Sequence, residues 1–256
     1  MRGLVFVAVA ATVSRPALAD REIFDLTELQ TTGRVVTAEF ADFDGDGIKD
    51  LMIATLDGVP PDESRLIHVY LGLPDRTFAD VPSRSISIPE LSAVYDIADL
   101  RETPGEELIV LQPDGVTILS LADDQARQWH LAVDGPTTVG AGADERGFDP
   151  YRLVYDEFAD KPWILVPQLG QVAAILGDGT PLGSLSVGRR TNYFVTKSSG
   201  LHSVETDIQL YYDAPKLSIG DVDGDGLADI VATTRHEIRV FLREAERAFQ
   251  FEPSYT

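Results

Sequence analysis

One acidic loop recurs along this chain at nearly constant spacing. "ADFDGDGIKDLMIAT", from Ala41 to Thr55, gathers four aspartates around two glycines and then turns apolar; "GDVDGDGLADIVATT", Gly220 to Thr234, repeats it. Between them, "ADLRETPGEELIVL", Ala98 to Leu111, aligns without gaps on the first copy. Asp99 falls on Asp42, Glu107 on Asp50, and Arg101 and Thr103 on Asp44 and Asp46. A more eroded copy, "YDEFADKPWILVP", leads with Asp156. The leading positions 42, 99, 156 and 221 give intervals of 57, 57 and 65 residues. A fixed period of this size signals a repeat architecture.

Within each unit the local signals are those of strands. A β-rich run follows each acidic loop ("DLMIAT", "ELIVLQ", "WILVPQ", "DIVATT"), then a turn, then a second run ("RLIHVYLG", "GVTILSL", "QVAAILG", "EIRVFLR"). Third runs, "RSISIP", "RQWHLAV" and "GSLSVG", follow in the first three units. Asp114-Gly115 and Asp178-Gly179 carry hairpin-turn chemistry. Four short antiparallel strands in each unit predict an all-β chain built as a β-propeller of four-stranded blades. A β-sandwich would also alternate its strands, but would not return the same loop at constant spacing. The units fall at approximately 33–90, 91–147, 148–210 and 211–256.

"DFDGDGIKDLMIA" and "DVDGDGLADIVAT" resemble the calcium loops of FG-GAP and VCBS repeats, the family of integrin-alpha-like propellers and many secreted bacterial proteins. The two middle units share the resemblance by spacing alone. Members close with seven or eight blades, so the four units here read as part of a larger propeller. Its reading frame would continue past "FQFEPSYT", with residues 20–32 as an orphan strand; a four-bladed closure is the alternative.

The resemblance implies two Ca2+ sites. Calcium takes six to eight oxygens, so its loop must turn several carboxylates inward over a few residues. In the first loop these are Asp42, Asp44 and Asp46, then the carbonyl of Ile48, with Asp50 closing the site. In the second they are Asp221, Asp223, Asp225, the carbonyl of Leu227 and Asp229. Gly45, Gly47, Gly224 and Gly226 allow the curl. Without a cation such carboxylates would repel one another. An EF-hand also opens D-x-D-x-D-G, but it needs a bidentate Glu at position 12, where these loops carry Ile53 and Ala232. Magnesium prefers a rigid octahedron with several waters, which favours calcium here. In the eroded loop, Arg101 is expected to face Glu106 or Glu107 in place of the ion.

The N-terminal "MRGLVFVAVAATVSRPALAD" reads as a secretory signal peptide over residues 1–19, leaving 20–256 as an exported, secreted or periplasmic chain. Its apolar run of about ten residues is short of the roughly 20 of a membrane helix, so no membrane insertion is expected after cleavage. With no cysteine there is no disulfide and no thiolate site. The formal charge of −21 disfavours nucleic-acid partners and anionic lipid.

No HExxH, G-x-S-x-G or P-loop is present, and His68, His130 and His236 lie in or beside strand runs. The most unusual segment, "GRRTNYFVTKSSGLHSVET", concentrates Arg189, Arg190, Tyr193, Lys197 and His202 in an acidic chain. It reads either as a ligand-binding surface for an acidic glycan or peptide or as a long outer hairpin. Longer loops at 57–65 and 140–149 are expected at the scaffold's edges. The expected function is binding or adhesion, with a carbohydrate or protein partner. The alternatives are a polysaccharide lyase or hydrolase on the same scaffold, and a structural module of a longer secreted protein.

Overall fold

The computed structural model describes residues 2–10, 24–58, 63–89, 91–122, 127–139, 147–158, 161–188, 191–199, 204–212, 215–244 and 249–256. Strands dominate these residues, and no helix occurs among them. Strands β1 (Arg2–Ala10) and β2 (Phe24–Thr32) form a two-stranded ribbon. Residues 4–10 of the apolar run read as the core of a leader lie in β1, and residues 24–32 of the segment read as an orphan strand lie in β2.

Four larger sheets follow in chain order. The first joins β3 (Arg34–Ala41), β4 (Asp50–Asp57), β5 (Ser64–Tyr70) and β6 (Arg84–Ser87) as an antiparallel meander. The second runs through β7 (Val94–Ala98), β8 (Glu107–Gln112), β9 (Gly115–Ser120) and β10 (Arg127–Ala132). A short β11 (Asp149–Pro150) adds to it in parallel beside β7. The third holds β12 (Val154–Tyr155), β13 (Trp163–Gln168), β14 (Gln171–Leu176) and β15 (Pro181–Ser186). Next, β16 (Thr191–Ser199) and β17 (Val204–Tyr212) pair with each other alone over nine residues each. The last sheet has β18 (Lys216–Gly220), β19 (Asp229–Thr233) and β20 (Ile238–Phe241), and Tyr255 bridges to Val240 at its free edge.

The second strand of each sheet is apolar at successive positions because both of its faces are covered. Side chains alternate across a strand, so neighbours along it enter different layers. Met52 and Ala54 of β4 meet Leu108 and Val110 of β8 in one buried cluster. Ile109 and Leu111, one residue out of phase, meet Ile164 and Val166 of β13 in the next. Leu165 then joins Ile230 and Ala232 of β19 in a third. The four sheets are therefore stacked face to face in the order of the chain, with shared apolar layers between them. The remaining face of the first sheet buries Leu51, Ile53 and Tyr70 with Leu29 of β2. Burying one such aliphatic side chain contributes about 1.5–3 kcal/mol.

Candidate metal centre

The two clean loops occupy equivalent places. The first leaves β3 after Ala41 and delivers the chain into β4 at Asp50; the second leaves β18 after Gly220 and enters β19 at Asp229. Their internal hydrogen bonds match residue by residue. The Asp42 carboxylate accepts the Gly45 N–H on Oδ1 at 2.7 Å and the Gly47 N–H on Oδ2 at 2.9 Å. Asp221 accepts Gly224 and Gly226 in the same way, at 2.6 and 3.0 Å. Asp44 accepts the Asp46 N–H, and Asp46 that of Ile48; Asp223 and Asp225 repeat this with Asp225 and Leu227. Both loops need left-handed glycines: Gly45 and Gly47 lie at φ 77° and 84°, Gly224 and Gly226 at 83° and 85°.

Curling in this way brings carboxylates together. Ligand atoms of Asp42, Asp44 and Asp50 lie within 4.8 Å of one another in the first loop, as do those of Asp221, Asp223 and Asp225 in the second. Asp46 stands outside the first triplet and Asp229 outside the second. Ile48 and Leu227 are engaged through their amides. The sets offer oxygen alone, the donor chemistry of a hard cation.

The closing aspartates have a second role that the pattern of the loops did not reveal. Asp50 is 1% exposed; its Oδ2 accepts the Phe43 N–H at 2.9 Å and its Oδ1 the Gly72 N–H, just beyond β5, at 2.8 Å. Asp229 is fully buried and accepts the N–H groups of Val222 at 2.8 Å and Arg243 at 2.9 Å. Each carboxylate thus ties its loop to the end of the third strand. In the eroded second unit Glu107, also fully buried, accepts the Leu100 N–H at 2.8 Å and the Thr103 hydroxyl. In all three units the amide bound lies seven residues before the acid. Burial pushes the Asp50 carboxyl above its ordinary value, the two amides oppose that, and the charges of Asp44 and Asp46 add to it.

Arg101 does not face Glu106 or Glu107 as expected. Its guanidinium lies over the Trp129 ring, 5.0 Å from the centroid, while Glu106 pairs with Lys49 at 2.6 Å. Glu107 is bonded by its own loop, and among the described residues no acidic triplet converges there as it does in the two clean loops. Arg189, Arg190 and His202 lie outside the described residues; Tyr193 and Lys197 contribute the backbone of β16, and their side chains also lie outside.

None of the three described histidines joins an acidic cluster. His68 is buried between Thr55 Oγ1 at 3.1 Å and Ser85 Oγ at 2.8 Å, His130 contacts Thr117, and His236 is exposed. No helix is long and apolar enough to cross a membrane among the described residues. Compared with known proteins, the chain matches no family model and no curated sequence.

Proposed function

We propose that the chain is an exported calcium-binding β-propeller, or an arc of one, of the FG-GAP/VCBS kind, serving as a binding or adhesion module for a carbohydrate or protein partner. The observation that carries this reading is the matched hydrogen bonding of the two loops, each of which ends with three aspartates converging. Stacking of four sheets in chain order supports blades as the repeating unit. Asp42, Asp44 and Asp50 would hold one ion and Asp221, Asp223 and Asp225 the other. A bound calcium supplies charge neutralisation, and the loops supply its oxygens. The role of the ion is structural, because the ligands sit on the turn that leads the chain into each sheet's second strand.

The test is thermal unfolding of the chain in calcium and in EDTA. Saturating calcium is expected to raise the Tm, since a ligand at 100 times its Kd stabilises by about 2.7 kcal/mol per site. Asp44→Ala with Asp223→Ala removes most of the rise. Melting that is indifferent to calcium and to chelator overturns the assignment.

A further inference from the structure

The expectation that failed at Arg101 leaves a charge to explain. Arg101 occupies the position of Asp44 in the eroded loop, and its Nε is buried without a hydrogen-bond partner. Its guanidinium rests on Trp129, and no described carboxylate pairs with it. A guanidinium stays charged and carries five N–H donors, and buried donors of this kind are normally satisfied. Stacking on an aromatic face fixes its plane, and with Nε shut away from solvent it is the terminal N–H groups that could meet a planar oxyanion.

Arg101 lines a cleft of about 600 Å3 between the second and third sheets, within the range of small-ligand sites. Lys161 adds a second cation, Leu176 an apolar wall, and Glu102 and Asp178 two carboxylates. The formal lining charge is therefore balanced, so a bare anion gains nothing from the long-range field. Asp178 already accepts the Thr180 N–H at 2.9 Å; the hydrogen bonds from Thr180, with a smaller contribution from Lys161, hold its carboxyl below the usual range. A ligand matched to this lining offers one carboxylate to Arg101 and hydroxyls to the remaining donors and acceptors.

We propose that this cleft binds a uronic-acid residue of an acidic saccharide, with Arg101 as the carboxylate clamp and Trp129 as its support. The inference deepens, and rests on, the reading of the chain as a binding module. It is independent of the 188–206 segment.

Titration calorimetry of the full chain at fixed calcium tests it, with tri-galacturonate as probe beside its neutral methyl ester and acetate. Tri-galacturonate is expected to bind saturably and at least tenfold more tightly than either comparison compound, and to change Trp129 emission. Arg101→Met lowers its affinity at least tenfold and leaves the calcium-dependent rise in Tm intact. Lys161→Met, at an exposed position, lowers it several-fold and serves if Arg101→Met does not fold. Equal binding of the methyl ester or of acetate, or unchanged binding by the variants, overturns the proposal. A chain that melts higher in calcium but ignores tri-galacturonate loses this inference alone; one that binds the trimer but ignores calcium loses the metal assignment instead.

Discussion

The Lys49 ammonium lies 2.6 Å from Oε2 of Glu106, and the same oxygen accepts the Asp42 backbone N–H at 2.7 Å. Asp42 returns the contact, its carbonyl accepting the Glu106 N–H at 2.6 Å. The leading residue of the first acidic loop is thus clasped by the eroded loop of the next unit. The ion pair itself is half exposed and should be worth about 0–1 kcal/mol. Lys49→Ala is expected to cost no more than that, and less in high salt. Glu106→Ala should cost about 1–3 kcal/mol, since it strands the Asp42 amide. Urea unfolding of the two variants compares them directly.

Asp50 and Asp229 should matter without any metal. Asp50→Ala leaves the Phe43 and Gly72 amides without their acceptor, at about 1–3 kcal/mol each. Asp229→Ala does the same to Val222 and Arg243. Unfolding in EDTA should therefore show both variants strongly destabilised and Asp44→Ala close to the parent.

The glycines of the first loop should differ in tolerance. A Cβ on Gly45 would meet the Gly105 nitrogen at 2.7 Å and Pro104 at 2.8 Å, whereas one on Gly47 meets nothing within 4 Å. Both residues sit at positive φ, which costs a substituted residue about 1–2 kcal/mol. Gly47→Ala should show only that loss. Gly45→Ala adds a collision with the neighbouring loop, so its Tm should fall further.

His68 should make the fold sensitive to mild acid. Burial holds its imidazole below the ordinary 6.5, so the unfolded chain takes up this proton first. Its stabilising effect is complete above about pH 6.5 and is lost as pH falls toward the depressed folded value. His68→Gln is expected to flatten this part of the stability profile, measured by urea midpoints from pH 7.5 to 5. An unchanged slope would place the acid response elsewhere.

The acidic loops were legible because their chemistry is local: alternate aspartates and two glycines dictate both the curl and the convergence. Strands β4, β8 and β13 were legible as apolar runs, and Glu107 aligned correctly with Asp50. What escaped depends on residues far apart in the chain. No spacing rule indicates that Gly72 and Arg243 lend amides to Asp50 and Asp229, so burial of the closing acids was hidden. Arg101 was assigned to carboxylates near it in sequence, yet its partner Trp129 comes from another strand. The parallel addition of Asp149–Pro150 to β7 likewise has no local signature.

Because each apolar layer belongs to two sheets at once, no inner sheet owns a core that it could carry away with it. Ile109 faces one neighbour and Val110 the other, so removing either adjoining sheet strips half of β8. Under mechanical load the loss of one sheet should lay bare the apolar layer of the next, so neighbouring sheets should give way in succession rather than independently.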